Sequence, residues 1–196
     1  MEPILFVFTG PSGAGKGSVM RALLDRDQTL NKVVTYTTRA PRQGEVDGFD
    51  YHFVSVSDFN RLIRADGLFE YEQVYNDHYY GSPRELFEPG HDGLIELDYK
   101  GRLKYQERHR KVVSIFILPP SLPELRRRIL ARSEVSNLDA RLANAVEQIR
   151  HARSYDYIIR NDDLVSCIER VEAIVRAERI RRQGLLDMDD ILRQVP

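Results

Sequence analysis

Ile4 to Phe8 is an unbroken run of branched and aromatic residues, closed by Thr9-Gly10-Pro11. A run with no polar face reads as a strand covered on both sides, the kind found inside parallel sheets. From Ser18 the pattern changes: Val19, Leu23 and Leu24 recur at helical spacing, which predicts a helix over residues 17 to 26 behind a glycine-rich turn. Val112 to Leu118 is a second buried strand, ended by Pro119-Pro120, and Gly93 to Leu97 and Tyr157 to Ile159 read as two more. Helical periodicity covers Leu122 to Leu130, Ala140 to Ala152 and Leu164 to Ile180, the last with Leu164, Ile168, Val171, Ile174 and Val175 on one face. Strands alternating with helices predict an α/β fold, a parallel sheet flanked by helices.

Residues 34 to 82 break this alternation. They are rich in Tyr, Thr, Gly and Arg, with a turn from Gly44 to Gly48 and a short alternating run from Tyr51 to Val56. This predicts an inserted, partly antiparallel subdomain. Gly184 reads as a helix stop, leaving a tail to Pro196 that is either a short docking helix or a frayed end.

Composition narrows the classes. The 196 residues suffice for one domain, or one core with inserted subdomains. Lys+Arg 29 against Asp+Glu 30 gives a net charge of -1, with 42% hydrophobic residues, which argues against disorder and against an overall basic nucleic-acid binder. Any polyanion site is therefore local. The single cysteine, Cys167, excludes an intrachain disulfide and reads as a small apolar side chain on a helix. The first apolar run follows Glu2 rather than a basic segment, and no stretch approaches the ~18 apolar residues of a membrane span, which predicts a soluble, cytoplasmic chain without a membrane partner. His52, His78, His91, His109 and His151 show no metal-ligand spacing.

Gly10-Pro11-Ser12-Gly13-Ala14-Gly15-Lys16 fits G-x4-G-K and falls between a predicted strand and a predicted helix, the context that gives the pattern meaning. Glycines let backbone N–H groups curl toward an anion, the helix start adds its positive end, and Lys16 supplies a mobile charge for outer phosphates. The Ser or Thr that usually follows the lysine and contacts magnesium is replaced by Gly17, with Ser18 one position later. Magnesium would then be held mainly by nucleotide phosphates, water and a carboxylate elsewhere in the chain.

Arg39 and Arg42 lie three apart beside Pro41, and guanidinium pairs on a rigid turn can clamp a phosphate. Downstream stand Tyr51, Glu70, Tyr80 and Ser82: phenols for a phosphate, a carboxylate that could accept from the two adjacent N–H donors of guanine, and a hydroxyl. Spacing alone equally allows a solvated turn with scattered tyrosines. Arg128 and Arg132 share a helix face, with Arg141 on the next helix; this is either a solvated face or a set of cations delivered to a transferring phosphoryl group.

The strings Thr37-Thr-Arg39-Ala-Pro-Arg42-Gln-Gly44-Glu-Val-Asp-Gly48-Phe-Asp-Tyr51-His-Phe-Val54, Tyr79-Tyr80-Gly81-Ser82, Ser114-Ile-Phe-Ile-Leu-Pro119-Pro120-Ser121 and Asn161-Asp162-Asp163 resemble the guanylate kinase family, and the similarity runs from about residue 4 to 180. The resemblance implies a P-loop NTPase-type sheet with a GMP-binding insert at 34–82, a short helical lid at 121–149 and a core of 1–33, 83–120 and 150–196. It implies transfer of a phosphoryl group from ATP to GMP or dGMP, with Mg2+ bound alongside ATP. It puts ATP on residues 10 to 18, with Asn161 near the adenine. Thr35, Glu70, Ser82 and Asp98 fall around the guanine or a magnesium–water network, and Arg39, Arg42, Tyr51 and Tyr80 on the GMP phosphate. Lys16, Arg39, Arg128, Arg132 and Arg141 are the implied catalytic groups.

Three places depart from the family pattern. The interval from Glu70 to Tyr80 is one residue longer, the loop Ser133 to Asp139 is two shorter, and Glu96-Leu-Asp98-Tyr-Lys100-Gly101 has Lys100 where the family has Gln. Lys100 would either assist phosphate binding or point to solvent. Two competing functions remain open from sequence: a scaffold module that has lost catalysis, and a related kinase with another phosphorylated acceptor.

Overall fold

The structure, a computed structural model, describes residues 3–42, 44–74, 78–108, 111–131 and 138–194. The elements in chain order are β1 (Leu5–Thr9), α1 (Lys16–Arg26), β2 (Leu30–Lys32), β3 (Tyr36–Thr37), β4 (His52–Phe53), α2 (Val56–Arg64), β5 (Leu68–Val74), β6 (His78–Pro83), β7 (Asp92–Glu96), α3 (Tyr99–Arg108), β8 (Val112–Leu118), α4 (Leu122–Leu130), α5 (Leu138–His151), a 3-10 turn (Ala152–Ser154), β9 (Tyr157–Arg160) and α6 (Leu164–Leu192).

Five strands form the main sheet in the order β2-β7-β1-β8-β9. Every neighbouring pair is parallel. β1 lies at its centre and all of its residues are buried, as a strand without a polar face requires. Its side chains alternate between two layers. Ile4, Phe6 and Phe8 pack with Val19 and Leu23 of α1 and Val171 and Val175 of α6. Leu5 and Val7 pack on the other face with Ile95 and with Tyr105 of α3. Burying each such side chain contributes roughly 2 to 3 kcal/mol, so the central strand anchors the core.

From β1 the chain crosses through α1 to β2 on one side, while β8 and β9 lie on the other. The strand order therefore reverses beside β1, and a crevice opens at the carboxyl ends of β1, β7 and β8, where open α/β sheets bind ligands.

A second sheet has the order β4-β3-β6-β5. β3 pairs parallel with β4 and antiparallel with β6, and β5 and β6 form an antiparallel pair.

Three expectations need correction. The alternating run from Tyr51 to Val56 yields only the two-residue β4; Ser55 then accepts the Asp58 N–H at 3.0 Å and caps α2, so Val56 opens a helix. Gly184 does not stop α6, which continues to Leu192. A helix-stopping glycine needs a left-handed conformation, and Gly184 is not among the positive-φ glycines. The extension is tied down at its base, where Arg179 donates to Asp92, Asp27 and Thr29 at 2.7, 2.6 and 2.9 Å and Arg182 to Asp92 at 2.7 Å. The helix expected from Ala140 to Ala152 starts at Leu138 and ends at His151, followed by the 3-10 turn. Cys167 is buried on α6, as expected. Among the described residues no helix is long and apolar enough to cross a membrane.

Candidate active site

The glycine-rich turn joins β1 to α1 in the crevice. Gly10, Gly13 and Gly15 all have positive φ, at 147°, 90° and 100°. At Gly10 the requirement is also steric, because a Cβ there would collide with the Ile117 carbonyl oxygen of β8. Gly10→Ala should therefore lower stability by about 3 kcal/mol or more, from strain and a backbone clash, read as a fall in the urea midpoint.

Lys16 opens α1 with its side chain folded back over the turn. Its Nζ donates to the carbonyls of Gly10 at 2.5 Å and Pro11 at 3.1 Å and pairs with Glu96 at 3.3 Å. The ammonium is thus buried and already aimed across the mouth of the loop. Pro11, Gly13 and Ala14 are buried, while Ser12, Gly17 and Ser18 are exposed. A side chain at Gly17 would meet open space, so nothing steric forbids the missing hydroxyl there.

Asn161 follows β9 and is buried, and its amide donates to the Ala14 carbonyl at 2.7 Å. That amide holds the loop, and a Cβ on Gly15 would run into it. Beside it lies a cleft of about 320 Å³ lined by Gly13, Gly15, Ser18, Arg127, Arg128, Ala131, Asn161 and Leu164. Arg127 and Leu164 carried no sequence motif.

Arg128 lies on α4, which packs directly on the loop: a Cβ on Gly13 would sit 3.2 Å from Leu125. Its Nε donates to Glu124 at 2.8 Å. Arg127 grips the same carboxylate at 2.7 and 2.8 Å, and the two guanidiniums hold Glu124 down to about 2. Arg141 is half-buried on α5. Arg132 and the shortened loop through Asn137 lie outside the described residues, as does the insertion around 75–77.

The second sheet is linked to the main domain through α3, whose Lys100 and Lys104 reach Glu72 and Glu70 of β5. In the pairing of β5 with β6, Glu70 stands opposite Ser82 and Glu72 opposite Tyr80. The Ser82 hydroxyl donates to Glu70 at 2.6 Å, and Lys104 of α3 stands 3.6 Å from the other Glu70 oxygen. Burial pushes the Glu70 carboxyl above the usual range, Ser82 and Lys104 opposing the shift and Asp98 adding to it. Asp98 accepts the Gly101 N–H at 2.7 Å and so caps α3. Lys100 is mostly exposed, as one of the two sequence alternatives has it, and its ammonium donates to Glu72 at 2.7 Å, joining α3 to β5.

Arg39 lies over the rings of Tyr51 and Phe53, 5.3 and 5.6 Å from their centroids. Tyr51 meets Tyr80 edge to face at 6.1 Å. Burial raises the Tyr51 phenol, and the charge of Glu96 raises it further. The charge of the carboxylate paired with Lys16 therefore also reaches Tyr51. Lys32, at the end of β2, is lowered by burial and donates to the Phe49 and Asp50 carbonyls, pinning the 44–51 turn to the main sheet. Arg42 is exposed and Thr35 half-buried. The roles of Lys32, Glu45 and Lys104 escaped the sequence reading, because each depends on a partner far away in the chain or on which way a turn folds.

A glycine-rich loop ending in a lysine at the switch point of a parallel sheet, with a second, mostly antiparallel sheet inserted in the chain, defines a P-loop NTPase-like α/β protein. The family model described as guanylate kinase matches residues 2–178, and the chain belongs to that family. It is 42% identical over 199 residues to a guanylate kinase of Agrobacterium fabrum, with 98% of this chain and 90% of that one covered. It is 42% identical over 186 residues to one from Caldanaerobacter subterraneus subsp. tengcongensis, covering 92% and 90%. Among solved structures, guanylate kinase from Anaplasma phagocytophilum matches with a TM-score of 0.74 at 38% identity, covering 90% of this chain and 86% of that one.

Proposed function

We propose that this chain transfers the γ-phosphoryl group of ATP to GMP or dGMP, giving ADP and GDP or dGDP. The observation that carries the reading is Glu96, which pairs with Lys16 at 3.3 Å and whose charge reaches Tyr51. In this reading the phosphate loop and the arginine–tyrosine pocket lie on either side of that carboxylate, and the two phosphates meet end to end. Phosphoryl transfer needs little else beyond alignment and charge neutralisation.

In this reading the turn from Gly10 to Ser18 cradles the ATP phosphates and Lys16 takes the outer ones. Arg39, Arg42, Tyr51 and Tyr80 hold the acceptor phosphate. Glu70 accepts from the two N–H donors of guanine, with Thr35, Ser82 and Asp98 around the same base. Arg128, Arg132 and Arg141 meet the transferring group when α4 and α5 close over it. Arg128 is already next to the loop, and closure would trade its Glu124 bond for phosphate oxygens.

Magnesium belongs to this reading. Among the described residues no group of three or more His, Cys, Asp or Glu converges on a metal position. That suits an ion that keeps its waters and takes its remaining ligands from phosphates; Ser18, Glu96 and Asp98 are the side chains that would hold those waters. When bound, it neutralises charge on the phosphates.

The complete loop, with Gly13, Gly15 and Lys16 in place, argues against a scaffold that has lost catalysis, and the Glu70–Ser82 pair argues for guanine over another acceptor. A coupled assay for ADP, run with ATP and magnesium against GMP, AMP, UMP and ribose 5-phosphate, should respond to GMP alone. No ADP at high protein concentration would overturn the reading, and a faster rate with another acceptor would replace the substrate.

A further inference from the structure

Arg39 does not wait for its ligand with an empty fork. Its Nη1 donates to Glu45 Oε2 at 2.8 Å and to the Ala40 carbonyl at 2.7 Å, and its Nη2 donates to Glu45 Oε1 at 2.9 Å. The carboxylate thus fills the end-on edge of the guanidinium in a bidentate pair. A guanidinium has a second edge of the same geometry, made by Nε–H and the outer hydrogen of Nη2, which also matches two oxygens of a phosphate. Arg39 Nε is buried and bonds to nothing among the described residues. A buried donor left unpaired is costly, and it points to a partner that arrives with a ligand.

Glu45 is itself fixed. Its Oε2 accepts the Arg42 N–H at 2.7 Å, and its own N–H donates to the Arg42 carbonyl at 3.0 Å, so the carboxylate is tied to the backbone of the turn. Its side chain is 19% exposed and that of Arg39 11%. Tyr51 and Phe53 fix the plane of the guanidinium, Glu45 fixes its rotation within that plane, and Tyr80 is the other polar side chain acting on it.

We propose that Glu45 is the positioning residue of the acceptor-phosphate site: it occupies one edge of Arg39 and so presents the other, Nε and Nη2, to the phosphate of the incoming nucleoside monophosphate. This rests on the reading of Arg39 as a ligand of the GMP phosphate. The opposite role is a carboxylate that mimics phosphate and must be displaced, and it predicts the opposite sign.

Glu45→Gln keeps the shape and removes the charge. The variant should raise the KM for GMP about tenfold or more while changing kcat and the KM for ATP far less, because a neutral amide cannot hold both Nη groups. In an Arg39→Ala background the same substitution should add nothing, since its partner is gone. Titration of GMP and guanosine should show the loss for GMP only. A fall or no change in the KM for GMP, an undiminished effect in the Arg39→Ala background, or an equal loss of guanosine binding would each overturn the assignment. These titrations read Glu45 without turnover; a wild-type chain that binds GMP but makes no GDP would sink the kinase reading and leave this one standing.

Discussion

Replacing Lys16 by alanine is expected to lower turnover with ATP and GMP by about three powers of ten or more. The ammonium is anchored by the Gly10 and Pro11 carbonyls at 2.5 and 3.1 Å, so it is oriented before any nucleotide arrives. Alanine removes that charge and also leaves Glu96, 3.3 Å away, without its cation. An uncompensated carboxylate beside two phosphates repels both, so the KM values for ATP and GMP should rise together while kcat collapses. The fold should survive, because the loop is held from outside by Asn161 and by the packing of α4. Circular dichroism and the thermal midpoint would confirm that. A rate within tenfold of wild type from the folded variant would mean that the loop does not carry the transferred phosphoryl group.

What sequence could show followed from local pattern. β1 and β8 are apolar but for Thr9 and Ser114, and their burial on both faces is a direct reading of that pattern. The loop was legible because its glycines and lysine are consecutive in the chain. Elements whose order comes from tertiary contacts were not. β2 is three residues long and exists because it pairs with β7. α3, with the sequence YKGRLKYQER, buries little beyond Gly101, Arg102 and Tyr105, so it shows no clean apolar stripe. α6 runs past Gly184 because Arg179 and Arg182 reach back to Asp92 and Asp27, 87 to 152 residues earlier. The site divides the same way. Residue types at Arg39, Tyr51, Glu70 and Tyr80 announced phosphate and guanine chemistry, whereas Glu45 on Arg39, Lys104 on Glu70 and Lys100 on Glu72 needed the fold. Asn161 shows a third case, a residue marked out by the sequence whose partner, a backbone carbonyl of the loop, was not legible.

Glu70→Gln should cost about a hundredfold in kcat/KM for GMP at neutral pH, because an amide cannot accept from both N–H donors of the base and turns one of its own donors toward them. The pH profile separates this from general damage. Burial raises the Glu70 carboxyl, so on acidification it takes up its proton earlier than an ordinary glutamate and stops reading guanine there. In the ratio of wild-type to variant kcat/KM, the titration of the nucleotide's own phosphate cancels. That ratio should be largest at neutral pH and fall as pH drops through the raised value. Stability should move the other way. A carboxyl raised by burial is held ionised at a cost that grows from the ordinary glutamate range up to its folded value and is fully present at neutral pH, so removing the charge should not lower the thermal midpoint there. A flat ratio across pH, or a loss of activity matched by a loss of thermal stability, would remove Glu70 from base recognition and leave its bond to Ser82 as a sheet contact only.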